Sequence, residues 1–324
     1  MTELHLPEGG RGARLLAQVD ACWLDLVAGL PPRLRDLTRQ ASTFRGTAGG
    51  PEPFRGPSAM NPGITCTPWL FWEIAQPLDD GDVVSLAFAG SLVVLASVLL
   101  DHLVDGQAEF PGETALLHQA LYEAGTARLR ARLPGHHLFW QDLERLGAEH
   151  VAGLAAERHA QQHPEQLSFE RFLSLVPAKF SPIAATMAAF VYALGRPEWL
   201  PPIEASIKRL AVASQLLDDL GDWEEDLQQR HLTFFLACLA PAEVWLGPSW
   251  PAAEDIQQRI DDDWSDIKSM DTVREWLAGS LQAVAGLECA RWKEYLNGYQ
   301  ALAGQHLIRY KARHMLHIIE PLVR

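Results

Sequence analysis

Apolar residues along this chain recur at three- and four-residue intervals. Sustained period-two alternation is missing, and no Asn-Gly or Asp-Gly pair joins two β-branched runs. That spacing lays a greasy stripe along helices and gives no face of a strand. Residues 14–30 form the first amphipathic stretch, stopped by Pro31-Pro32. Residues 41–68 are dense in Gly and Pro and read as a long loop. Residues 83–100 then run for 18 positions without a charge. This predicts a helix over roughly 82–105 that is apolar all round and buried among its neighbours.

Polar-faced helices are predicted at 113–133 and 136–163, split by Pro134-Gly135. Ser168 has the character of a helix start, and Pro177 and Pro182 break or kink the stretch up to Leu194. Pro201-Pro202 open a helix that reaches a second acidic region. A short helix at 231–239, a Pro-rich loop at 241–251, and helices at 259–268, 272–296 and 300–319 complete the chain. The expectation is one all-α domain over residues 1–324, a helical bundle of about ten or more helices.

Composition narrows the partners. With 324 residues and 48% hydrophobic content the chain can bury a large core, and its net charge of −14 argues against a nucleic-acid partner. Run 83–100 reaches the length of a membrane-span candidate, but Asp79, Asp80 and Asp82 precede it, Asp101 and Asp105 follow it, and no Lys or Arg adjoins either end. No stable span is expected. Cys22, Cys66, Cys238 and Cys289 are scattered without a C-x-x-C pair, which suits a reducing compartment. The first residues lack a basic and an apolar export region, so a cytoplasmic protein is expected.

Two acidic clusters, each closing a long apolar stretch, carry the chemistry. The first is Asp101-His-Leu-Val-Asp105 and the second Asp218-Asp219-Leu-Gly-Asp222-Trp-Glu-Glu-Asp226. At helical spacing Asp101 and Asp105 share a face, as do Asp218, Asp222 and Asp226; Asp219, Glu224 and Glu225 point elsewhere and read as solvated charge. Carboxylates crowded at the end of an apolar helix repel one another and lose hydration unless a cation lies between them. Hard divalent cations held by a few carboxylates, with the remaining positions left to water and phosphate oxygens, describe a magnesium–diphosphate site.

With these residues quoted, the chain resembles the trans-isoprenyl diphosphate synthases and their class I terpene synthase relatives. Gln215-Leu-Leu-Asp218-Asp219-Leu-Gly-Asp222 resembles their second aspartate-rich motif. Asp101-His102-Leu-Val-Asp105 resembles the first, with His102 in place of its second Asp. Lys179 lies where the family has a diphosphate-contacting Lys-Thr, and His231-Leu-Thr233-Phe resembles the Lys-x-Thr-Tyr that follows motif two. The resemblance spans roughly residues 60–240. It implies the α-helical class I isoprenoid synthase fold, an allylic prenyl diphosphate substrate and three magnesium ions held by Asp101, Asp105, Asp218 and Asp222. It also implies ionisation of the allylic C–O bond, and the family's frequent dimers make a homodimer an expectation.

Departures from the pattern separate its members. Chain-elongating relatives carry a basic Gly-Gly-Lys-x-x-Arg segment before motif one and an Arg pair after it. Here residues 61–68 hold no base and Gly106-Gln-Ala-Glu follows Asp105, while Arg45 and Arg55 are the remaining cations of the preceding loop. Cyclising relatives need one diphosphate site only. Asp218, Asp222 and Asp226 match the spacing of their second metal motif, and Arg309-Tyr310 resembles their C-terminal diphosphate-gripping pair. The leading expectation is therefore a terpene synthase, with Asp226 as a further metal ligand and Lys179, Arg309 and Tyr310 on the diphosphate. The alternative is a prenyltransferase that couples the cation to a second prenyl diphosphate or another acceptor. Trp69, Trp72, Phe88, Leu92, Leu95, Leu99, Phe180, Phe190 and Tyr192 are expected to line an apolar cavity, with aromatic faces toward a passing cation.

Overall fold

The computed structural model describes residues 10–44, 54–59 and 61–323, and helices account for every regular element among them. Arg45 lies outside this set. The N-terminal part comprises α1 (Gly10–Gly29), α2 (Pro32–Thr38), three short turns α3 (Pro62–Thr65), α4 (Thr67–Leu70) and α5 (Trp72–Ala75), and the long α6 (Asp80–Val104). Next come α7 (Pro111–Arg132), α8 (His137–Gln162), α9 (Phe169–Lys179), α10 (Ser181–Ala193) and α11 (Leu200–Gly221). The C-terminal part holds α12 (Trp223–Gln229), α13 (Phe234–Leu239), α14 (Ala242–Leu246), α15 (Ala253–Asp263), α16 (Ser265–Ala283) and α17 (Ala290–Val323). The described parts of the expected 41–68 loop thus contain short helical turns, and those from residue 57 onward are each opened or crossed by a proline that presets φ.

The apolar α6 is the central helix. It packs against α1, α7 and α10, and Leu86, Leu92, Leu95 and Leu99 are sealed from water. Among the described residues it is the one unbroken helix long and apolar enough to cross a membrane, yet 72% of its apolar window is buried inside the protein. Its acidic start is answered in space by bases that are distant in sequence. Arg11 lies 2.6 Å and Arg14 2.9 Å from Asp80, Arg132 lies 2.7 Å from Asp82, and the Asp79 carboxylate caps the helix by accepting from Asp82 N–H.

Two features hold the framework that presents the far end of α6. The pair α11 and α16 is pinned by Ser206 and Ser280, both buried, whose hydroxyls each donate to the other's carbonyl at 2.9 and 2.8 Å; Trp292 of α17 donates to the Ser206 oxygen at 2.8 Å. Close approach of α7 to α6 depends on Gly125, where a Cβ would stand 2.9 Å from the Ala89 carbonyl oxygen and 3.1 Å from Val93.

The C-terminal boundaries differ from the expectation. The expected helix at 259–268 is broken at Trp264, in the left-handed conformation with φ 54°. The expected break before residue 300 is absent, because α17 runs unbroken from Ala290. Neither position carries a Pro signal. Trp264 is held instead by stacking on His314 of α17 at 4.7 Å, a tertiary contact that local sequence does not reveal.

Replacing Gly125 by Val should force α7 away from α6 and destabilise the protein by about 1–3 kcal/mol. Denaturant titration checks this, and an unchanged midpoint would show that the helices have room to spare.

Candidate active site

The first acidic cluster sits at the C-terminal end of α6, with Asp105 as the residue that closes the helix. The second lies across the junction of α11 and α12. Asp222 is not inside one continuous helix, as the spacing suggested, but at a break with φ −113° and ψ 10°. Backbone bonds from Asp222 N to Asp218 O and from Asp226 N to Asp222 O carry the i, i+4 spacing through the kink, at 3.0 and 2.9 Å.

Lys179 and His231 stand between the clusters. Lys179 Nζ lies 3.2 Å from Asp101 Oδ1 and 2.6 Å from Glu157 Oε2. Both contacts pair the ammonium with buried carboxylate oxygens. Burial pulls Lys179 toward its neutral form, but Glu157 and Asp101 outweigh burial and raise its pKa. His231 Nδ1 lies 3.2 Å from Asp226 Oδ1, its Nε2 lies 3.3 Å from Gln161, and the Asp226 bond raises its pKa against burial.

Lys179 and His231 both act on both clusters. Asp105 is pushed up to about 6 by burial and then by the Asp101 charge, with Lys179 and His231 pulling the other way. Asp218 is raised by burial and then by Asp222 and Asp226, and the same Lys179 and His231 oppose the shift. Asp222 is exposed, yet partial desolvation and Asp226 raise it too. The structure therefore brings Asp101, Asp105, Lys179, Asp218 and Asp226 around one site, with Asp222 on its rim.

Arg309 and Tyr310 occupy a different neighbourhood. Arg309 is exposed on α17, and Tyr310 lies under the Arg313 guanidinium at 5.6 Å with Asp266 nearby. None of the Tyr310 contacts among the described residues reaches the acidic clusters. His102 is buried on the side of α6 facing α2 and α7, against a recess lined by Leu37, Gln40, Thr43 and Thr114. Several expected cavity aromatics are committed elsewhere. Trp69 donates to Gly12 O, Tyr192 to Asp142, Phe88 lies under Arg128 at 4.9 Å, and Trp72 under Arg11 at 5.7 Å.

One reading is corrected outright. Asp219 is not solvated charge but the most buried carboxylate of the cluster, 3% exposed. It accepts from Gln215 Nε2 at 2.8 Å and from Phe235 N–H at 3.4 Å, tying α11 to α13. Burial outweighs both bonds and pushes its pKa up to about 7. The sequence signal was Gln215, a polar residue four positions earlier. Sequence reasoning also missed the α8 contribution, His150, Glu157 and Gln161, which share one helix face at intervals of seven and four.

The sequence matches no protein-family model and no curated protein. Solved structures do match. A geranylgeranyl pyrophosphate synthase from Corynebacterium glutamicum superposes with a TM-score of 0.69 at 16% identity, covering 95% of this chain and 96% of its own. A decaprenyl diphosphate synthase from Rhodobacter capsulatus gives 0.68 at 18% identity, over 92% and 96%. A polyprenyl synthase from Caulobacter crescentus, complexed with calcium and isoprenyl diphosphate, gives 0.65 at 18%, over 90% and 96%. The chain has the all-α isoprenoid synthase fold. The fold implied by the aspartate motifs is thus the one observed, along nearly the whole length of these structures.

The raised carboxyl of Asp219 has a measurable consequence. It binds its proton more tightly folded than unfolded, so its contribution to stability is lost as pH rises from about 4 through about 7. Asn mimics the neutral form. In chelator, the melting temperature of Asp219→Asn relative to wild type should therefore increase between about pH 5.5 and 7.5. A constant difference across that range would show that Asp219 keeps an ordinary pKa.

Proposed function

We propose that this chain is a magnesium-dependent enzyme that ionises an allylic prenyl diphosphate and transfers the resulting cation to an acceptor. The observation that carries the reading is the placement of Lys179 and His231 between two carboxylate clusters whose members they influence jointly. The fold neighbours, named as polyprenyl, decaprenyl and geranylgeranyl synthases, support transfer over cyclisation.

The donor set suits a hard divalent cation. Asp101 Oδ1 is buried beside the Lys179 ammonium, and Asp105, Asp218 and Asp222 are all raised by burial and mutual charge, a strain that a cation relieves. Among the described residues no group of three or more His, Cys, Asp or Glu side chains stands close enough to hold a metal ion by itself. Asp101, Asp105, Asp218, Asp222 and Asp226 would hold three magnesium ions, supplying Lewis-acid pull on the leaving diphosphate. Lys179 contributes a cation to that diphosphate once it exchanges Glu157 for phosphate oxygens. His231, whose pKa the Asp226 bond raises, stands where its protonated form would add a second. Arg309 and Tyr310 belong to this grip only if α17 closes over the site with the substrate bound.

A second reading, terpene cyclisation, is favoured by one specific feature. The segment that in elongating relatives grips a second diphosphate is neutral and already internally bonded here. Asn61 Oδ1 accepts from Gly63 N–H and from the Tyr295 hydroxyl, both at 3.0 Å, and the Thr65 hydroxyl donates to Pro57 O. A second polyanion finds little to hold it there.

Geranyl, farnesyl and geranylgeranyl diphosphates, supplied singly and then with isopentenyl diphosphate or an uncharged acceptor, separate the readings. A coupled product that appears only with the acceptor supports transfer, and a cyclic hydrocarbon or alcohol formed without one supports cyclisation. Asp218→Asn should reduce diphosphate release at least about 100-fold while the protein stays folded. Full release by that variant would remove the metal assignment.

A further inference from the structure

The C-terminal half of α17 is fixed along one face and bare on the other. His314, 2% exposed, meets the buried Asp266 of α16 at 2.9 Å through Nε2, and its ring stacks on Trp264 at 4.7 Å. Arg313 reaches Asp266 at 2.8 Å and Asp261 of α15 at 3.2 Å. Ala303 and Leu307 are buried along the same side as His314. These contacts set the rotation of the helix, so the opposite face stays turned outward.

That outer face carries Ile308, Met315 and Leu316, which are 70%, 60% and 69% exposed, with the exposed Ala312 between them. At helical spacing the four fall within about 100° of the helix circumference. Arg309 and Lys311 stand at its two edges, both exposed, and neither makes an ion pair among the described residues. Residues 295–319 hold no Asp or Glu, in a chain that has 41 of them. Scattered single apolar residues are ordinary on a surface, but a contiguous stripe marks a contact.

Charge decides what covers this stripe. A second copy docking through the same face would set Arg309 and Lys311 against their own equivalents, and like charges across an interface oppose that pairing. An anionic lipid surface meets both requirements. Its acyl boundary takes the apolar side chains, and its headgroups take the two bases, whose stems lie along the apolar layer. The net charge of −14 acts against approach from afar. At physiological salt, however, charges beyond about 8 Å are largely screened, so the local bases dominate at contact.

We propose that the outer face of α17 docks this protein on anionic lipid, with Ile308, Met315 and Leu316 entering the interface and Arg309 and Lys311 holding the headgroups. The helix lies along the surface, and no segment spans the bilayer. This docking does not depend on the chemistry at the acidic clusters.

Flotation of the full chain with vesicles tests it. No prenyl substrate is added, so a failure leaves the proposed reaction standing. Phosphatidylcholine vesicles with about 30% phosphatidylglycerol should bind the wild type at least about tenfold more strongly than phosphatidylcholine alone, and about 0.5 M salt should remove most of that difference. Ile308→Gln combined with Leu316→Gln should weaken binding at least about tenfold, as should Lys311→Glu. Circular dichroism checks that the variants fold, and Met315→Gln replaces the double variant if it does not. No binding of the wild type to anionic vesicles, equal binding to neutral ones, or undiminished binding by folded variants overturns the proposal. So does a wild-type dimer that the Ile308 and Leu316 changes convert to monomer, since a second copy would then cover the stripe.

Discussion

Carboxylates held close together at the ends of two apolar helices repel one another, and the site is organised around that repulsion. Asp105, Asp218 and Asp222 are all pushed toward their protonated forms by burial and by their neighbours. Two basic groups, Lys179 and His231, only partly balance them. The chain as a whole carries a net charge of −14. The residual negative charge is what the divalent cations of the proposed function would neutralise.

Placing these groups requires helices that are straight in some places and broken in others. The core helix α6 can be apolar all round because neighbouring helices cover it and because Arg11, Arg14 and Arg132 neutralise its acidic start. At α9 and α10 the proline bend redirects the Lys179 carbonyl to His150 and sets the lysine side chain against Asp101 and Glu157. At Asp222 the kink between α11 and α12 keeps the carboxylate spacing while Asp219 turns inward and anchors α13. Both of these departures from regular helix serve a residue of the site.

The helical class and the shared faces of the two acidic clusters were legible because they rest on local periodicity. Apolar spacing announces helices, and i, i+4 spacing announces which acids share a face. The residues of α8 were not legible. His150, Glu157 and Gln161 lie on a helix that reads as ordinary polar surface, and only the packing of α8 against α9 turns that stripe inward. Asp219 was misread for a related reason. Periodicity assigns it a face, but the segment that covers that face, Phe235 and its neighbours, arrives sixteen residues later. Aromatic residues expected in the cavity failed likewise, since Trp69, Tyr192 and Phe88 are claimed by partners on α1, α8 and α7.

By itself the sequence determined the helical class, the central apolar helix and the two acidic termini, because hydrophobic period and charge spacing act over one or two turns. Tertiary structure decided which basic groups stand between those termini and which carboxylate is buried. Those properties depend on desolvation and on charges brought together from distant parts of the chain, and neither exists until the helices have packed.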